Sequence, residues 1–128
     1  MAAEWFVRGV LLVGAAFFLV VGAWAFVDPA SFYDELAVFP PYNRHFLHDV
    51  GAFQLGLGAA LALALAGWDG RRVALWGAAV ASGFHAASHF MDAELGGRDS
   101  DPWLLALLTV VLAAAALLSS GTPQPGRL

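Results

Sequence analysis

Residues 5–27 read WFVRGVLLVGAAFFLVVGAWAFV, and this apolar stretch decides the fold. A helix rises about 1.5 Å per residue, so about 20 apolar residues are needed to cross about 30 Å of hydrocarbon. Three similar stretches follow at about residues 46–66, 73–91 and 103–118. We therefore predict four transmembrane helices.

The composition agrees with a membrane environment. Of the 128 residues, 60% are hydrophobic and 12% are charged, and the mean hydropathy is +0.71. A soluble domain must cover its exterior with polar side chains, whereas a bilayer accepts an apolar exterior. Continuous apolar runs also lack the alternation of a β-barrel. The predicted class is an all-α, four-helix up-and-down bundle that forms one domain over residues 1–120.

The arginines predict the orientation of the bundle, because cytoplasmic loops retain positive charge. One side carries Arg8, Arg71, Arg72 and Arg127, and the other carries Arg44 and Arg98. The first side is therefore predicted to be cytoplasmic, together with both chain termini. The chain contains no lysine and no isoleucine, which favours a GC-rich bacterial genome and hence a bacterial plasma membrane.

The segments between and after the spans have distinct patterns. Residues 29–36 read as a short amphipathic helix in the membrane interface, which Pro40-Pro41 ends. Residues 121–128 are predicted to be a disordered tail. Ala23-Trp24-Ala25 resembles a signal-peptidase site, so cleavage of the first span remains an alternative to its retention.

All four histidines lie at the predicted outer ends of the two central helices. The spacings i, i+3, i+4 and i, i+4, i+7 place each set on one helix face. The candidate metal ligands are His45, His48 and Asp49 on one helix, and His85, His89 and Asp92 on the next.

Small residues at every fourth position predict that these two helices touch, because such residues let helix backbones approach closely in lipid. One stripe consists of Ala52, Gly56, Ala60 and Ala64, and the other consists of Ala74, Ala78, Ser82 and Ala86. Contact between the stripes would bring both polar faces together. Asp49 would then hydrogen-bond His85, with Gln54 extending the network.

Imidazoles and carboxylates in this arrangement suit zinc, copper or non-haem iron. The chain has no cysteine, so thiolate ligands are excluded. Haem b between histidines of the two helices is an alternative cofactor. The same residues would equally serve structural His–Asp pairing, helix capping or pH sensing. No pattern identifies a catalytic residue, so the sequence leaves open whether the protein is an enzyme.

Three segments resemble small four-span membrane proteins of GC-rich bacteria, broadly DoxX-like in layout. They are Asp28-Pro29, the run from Phe39 to His45 (FPPYNRH) and the run from Asp49 to Gly58 (DVGAFQLGLG). The resemblance implies the architecture and a membrane role, and it transfers no catalytic residues.

The predicted partners begin with the lipid bilayer. The nearly uniform last helix favours, as an alternative function, an accessory subunit that packs against a larger membrane protein or against a second copy of the chain. A net charge of −4 with no basic run argues against nucleic acid.

Overall fold

The computed structural model describes residues 1–119, and all the regular structure in that range is helical. The helices are α1 (Ala2–Val27), α2 (Pro29–Glu35), α3 (Arg44–Leu65), α4 (Arg71–Met91) and α5 (Asp101–Leu118). The all-α class and the short helix after the first long one are as predicted. The predicted tail at 121–128 lies outside the described residues.

The four long helices alternate in direction. Gly14 lies against Leu61 and Gly22 lies against Gly51, so α1 and α3 are antiparallel. Gly83 lies against Thr109, so α4 and α5 are antiparallel too. The most extensive helix contacts are α1 with α3 and α4 with α5, whereas α3 and α4 touch over a much smaller area. The prediction of a central α3–α4 hairpin is therefore wrong, and the bundle consists of two other helix pairs.

Three helices, α1, α3 and α5, are long and apolar enough to cross a membrane. Although α4 is long enough at 21 residues, it carries two arginines, two serines and two histidines among many alanines and glycines. Those polar side chains lower its hydropathy below that of the other three. Of the four predicted spans, three are therefore apolar enough by this measure within residues 1–119, and α4 is not.

Glycines form the contact between α1 and α3. A Cβ added to Gly51 would lie 2.8 Å from the Gly22 carbonyl oxygen and 2.8 Å from the Phe26 amide nitrogen. A Cβ on Gly22 would lie 2.7 Å from the Leu55 nitrogen, and Gly58 meets the Leu19 backbone in the same way. Any side chain here would collide with backbone, so these glycines permit the close approach. We call Gly22, Gly51 and Gly58 the glycine seam.

Most of the predicted small-residue stripe of α3 lies on a different face, and only Ala64 of its four residues is buried in the core. Ala52, Gly56 and Ala60 are exposed, and nothing approaches within 4 Å of a Cβ added to Gly56. Residue 52 is one position after residue 51, which turns it about 100° around the helix from the seam. The α4 stripe is packed as predicted at Ala78, Ser82 and Ala86, but α5 is the main partner of that helix.

The apolar core lies where all four long helices meet. Each contributes a fully buried leucine, namely Leu11, Leu61, Leu75 and Leu112. Burial of a leucine contributes roughly 1.5–3 kcal/mol relative to exposure in water. At the end of the bundle nearest the core, the Arg71 guanidinium pairs with the Glu4 carboxylate at 2.8 Å. This ion pair holds the start of α4 against the start of α1.

The opposite end of the bundle is closed by two connections that pack on each other. The Gly97 N–H donates to the Val38 carbonyl oxygen at 3.2 Å, and Arg98 Nη2 donates to the Glu35 carbonyl oxygen. Gly97 has a φ of +82°, and an added Cβ would lie 2.6 Å from the Phe39 ring. We call residues 36–43 together with residues 92–100 the cap. It contacts the C-terminal end of α4, where two histidines are found.

Candidate functional site

Two histidine side chains, His85 and His89, lie in contact in the last turns of α4. Their i, i+4 spacing places both rings on one face of the helix. The two Nε2 atoms are 3.2 Å apart, and the ring centroids are 4.9 Å apart with planes inclined at 59°. The helix thus directs the same nitrogen of both rings to one point, and we call this the histidine pair.

The cap covers the histidine pair from one side. The Phe39 ring meets the His89 ring edge to face, with centroids 5.2 Å apart. Phe39 is held in turn by its contact with Gly97. His89 is half-buried, whereas His85 keeps one side exposed. The pair is therefore covered by the cap on one side and open to the surroundings on the other.

Asp101, the first residue of α5, provides negative charge near the pair. Burial and the neighbouring His89 disfavour a positive charge on His85, and the Asp101 carboxylate partly offsets them through space. Its Oδ2 accepts a hydrogen bond from the Arg98 N–H at 2.9 Å, which fixes the carboxylate where the cap meets α5. A cation held by the two imidazoles would gain from this charge.

The α3 candidates form a separate group. His45 Nε2 lies 3.7 Å from Asp49 Oδ2, and the two side chains are 87% and 55% exposed. His48 is half-buried against the Phe26 ring of α1, at a centroid distance of 5.3 Å. The glycine seam explains this arrangement, because it turns the His45 and Asp49 face away from the bundle interior.

The six predicted ligands do not form one centre. Within residues 1–119, no three His, Asp or Glu side chains are grouped so that they could hold a metal ion. Nor does any hydrogen bond, ion pair or ring contact in this range join the α3 group to the histidine pair. The predicted Asp49–His85 hydrogen bond is therefore wrong. Asp92 is exposed at the end of α4, where its N–H donates to the Ser88 carbonyl oxygen at 2.9 Å.

Two buried polar atoms lie deeper in the bundle. Gln54 Oε1 and Ser82 Oγ are buried without a hydrogen-bond partner in the described part of the chain. Gln54 was predicted to extend the histidine network, but its oxygen bonds to none of those side chains. Ser82 lies on the same face of α4 as the pair, one turn before His85. A water molecule that reached these atoms would satisfy them.

The histidine pair has the geometry of two neighbouring ligands of one ion. Two imidazole nitrogens bound at about 2.0–2.1 Å in a tetrahedral zinc site are about 3.3 Å apart. The observed 3.2 Å is close to that value. Without metal, the same distance fits a hydrogen bond from one neutral ring to the other. A haem ligated by two histidines would need their nitrogens on opposite faces of its iron, an arrangement that this pair does not provide.

Sequence reasoning missed two residues of this site. They are Phe39, in the connection that follows α2, and Asp101, the first residue of α5. The chain offers a signal for Phe39 in the neighbouring Gly96-Gly97, since paired glycines mark a position where another side chain can approach backbone. For Asp101, the signal is its position directly after the loop that leaves the histidine helix.

Comparison with models of known families, with curated proteins and with solved structures finds no match to this chain. The site must therefore be interpreted from its own geometry.

Proposed function

We propose that this chain is a four-span protein of the bacterial plasma membrane, with both termini cytoplasmic, that binds a divalent transition metal at the histidine pair on its outer side. The observation that carries the metal proposal is the 3.2 Å separation of two Nε2 atoms on one helix face. The DoxX-like resemblance agrees with the layout and adds no chemistry.

Packing supports a membrane position for α4, although its hydropathy alone does not. α4 lies antiparallel to the apolar helix α5 along its length, and Leu75, Ala78 and Ala79 belong to the core shared with α1 and α3. If α1, α3 and α5 cross the bilayer, α4 has to cross with them to keep these contacts. Its polar residues then lie toward the outer headgroups or inside the bundle.

The donor set indicates which metals the site would hold. Two neutral imidazoles suit Zn²⁺, Cu²⁺ or Fe²⁺, and they leave at least two coordination positions for water or an external ligand. A site with only two protein ligands exchanges its ion more readily than a closed four-ligand site. We therefore propose reversible metal binding at the outer surface rather than a permanent structural ion.

The topology is tested first, because the outer position of the pair depends on it. The chain has no cysteine, so one introduced thiol is a unique label. In Asp69→Cys and Ala93→Cys the thiol lies just before and just after α4. A membrane-impermeant maleimide should label Ala93→Cys in intact cells and Asp69→Cys only after permeabilisation. Equal labelling of both in intact cells would show that α4 does not cross.

The metal site is tested on protein purified with a tag that lacks histidine. After incubation with Zn²⁺ or Cu²⁺ and removal of excess ion, we expect about one metal per chain by elemental analysis. His85→Ala and His89→Ala should each weaken the affinity more than about tenfold, because a direct ligand is worth more than an outer-shell partner.

The matched controls are His45→Ala and His48→Ala, which remove the same side chain from α3. They should retain the metal and the wild-type affinity. Binding that His85→Ala leaves unchanged, or that disappears only with the α3 variants, would refute the histidine pair as the site. In that case the 3.2 Å contact would be a hydrogen bond alone.

A further inference from the structure

An open groove runs along an exposed face of α4, from its first turn toward the turns that carry the histidine pair. Its first part has a volume of about 530 Å³ and is lined by Arg72, Val73, Trp76, Gly77 and Val80. A second part of about 330 Å³ shares Trp76 and Val80 and continues between α4 and α5 to Ala87. Because the two parts share residues, they form one continuous groove.

The groove is hollow because of a glycine. Nothing lies within 4 Å of a Cβ added to Gly77, so the space beside it is open. Trp76 and Val80 stand on either side in sequence and are exposed, as is Phe84 further along. By helix geometry these apolar side chains lie along one side of Gly77, and the surface beside the glycine is open. Such a surface accepts a flexible hydrocarbon chain.

The charge of the groove is confined to one end. Arg72 is exposed at the first turn of α4, and the other lining residues of both parts are uncharged. A guanidinium binds phosphate oxygens through paired N–H donors. One cationic end followed by an apolar channel is complementary to an amphiphile with an anionic phosphate head.

The groove is longer than the hydrocarbon of one leaflet is deep. From Arg72 to Ala87 the helix rises about 22 Å at about 1.5 Å per residue. The hydrocarbon of one leaflet is about 15 Å deep, half of the bilayer core. A headgroup phosphate at Arg72 therefore leaves enough groove for an acyl chain that descends toward the bilayer centre.

We propose that this groove is a binding site for an anionic phospholipid of the cytoplasmic leaflet, with its phosphate on Arg72 and one acyl chain along Trp76, Gly77 and Val80. This inference rests on the proposed membrane position of α4. It is independent of metal binding, because the histidine pair lies at the other end of the helix. The topology labelling decides the position of α4 separately.

The test uses the full chain in a mild detergent and native mass spectrometry to count bound lipids. The probes are dipalmitoyl phosphatidylglycerol and dipalmitoyl phosphatidylcholine, which have the same acyl chains and differ in net charge. We expect the wild type to bind the anionic lipid about fivefold more tightly, the preference that one arginine near a membrane surface supplies. In Arg72→Gln this preference should disappear while some binding of both lipids remains.

The second variant, Gly77→Leu, fills the groove without a collision and should weaken the binding of both lipids. Its matched control is Gly56→Leu, which adds the same side chain at an equally open position on α3. Arg8→Gln is the control for charge, since Arg8 is exposed near the same end of the bundle on α1. Both controls should bind lipid as the wild type does.

Three results would overturn the proposal. The first is equal binding of the two lipids by the wild type, and the second is a preference that Arg72→Gln leaves intact. The third is a dimer that Gly77→Leu dissociates, because the groove would then hold a second protein chain. If the labelling shows that α4 crosses the membrane and any of these three results is found, the lipid site is refuted. The four-span proposal then still stands.

Discussion

The two helix pairs of this bundle are held together in different ways. Across α1 and α3 the backbones themselves meet, and an added Cβ at Gly51 would lie 2.8 Å from backbone atoms of α1. Across α4 and α5 the contact is made by side chains, such as Phe90 on Trp103 with ring centroids 5.1 Å apart. There even the closest glycine, Gly83, leaves 3.4 Å to the Thr109 methyl group.

This difference separates a structural half from a half that has room for ligands. The glycine seam leaves no volume between α1 and α3. The looser α4–α5 half carries the histidine pair at one end and the groove beside its length. Glycine has a different effect in each half. At Gly51 the absence of a side chain lets the backbones of α1 and α3 touch, whereas at Gly77 it leaves open space on the surface of α4.

The largest expected effect is the loss of the contact between α1 and α3. Gly51→Leu places a side chain against backbone atoms that cannot move without separating α1 from α3, and we expect it to lower the free energy of unfolding by about 3 kcal/mol. The measurement is denaturant unfolding in detergent micelles, followed by circular dichroism. Gly56→Leu, five residues further along the same helix at an open position, should have no destabilising effect. Equal stability of the two variants would contradict a backbone contact at the seam.

Much of the fold follows from hydropathy and from helix-ending residues. The long apolar runs and the short helix that begins at Pro29 lie where the sequence predicts them. The faces of the helices were harder to predict. Ala52, Gly56 and Ala60 form a regular small-residue pattern, yet the packed face is set by Gly51 and Gly58. Alanines allow two helices to pack closely. Only glycine allows the backbone of one helix to touch the backbone of the other.

The site was predicted in part. The pairing of His85 with His89 follows from i, i+4 spacing, which is a property of one helix. The predicted contact of this pair with His45, His48 and Asp49 depended on how α3 is rotated about its own axis. That rotation is fixed by three glycines on two helices, and spacing within α3 alone does not contain this information. Contacts within an element were therefore predictable, and contacts between elements were not.

The smallest expected effect lies at the other end of the bundle, where an ion pair joins the two halves. Glu4→Gln removes the charge opposite Arg71, and since both side chains are partly exposed we expect a loss of less than about 1 kcal/mol. The same unfolding measurement at low and high salt checks this, because the difference between wild type and variant should shrink as salt screens the pair. A salt-independent loss would mean that the contact is not electrostatic.

The position of the glycine seam in the chain has a consequence for biogenesis. All three of its glycines lie within the first 58 residues, so α1 and α3 contain the whole contact before the ribosome reaches α4. Because chains are synthesised from the N-terminus and early segments fold first, α1 and α3 can pack together before α4 is made. In the proposed four-span arrangement, the later and more polar α4 would then insert against this preformed apolar surface instead of entering lipid alone.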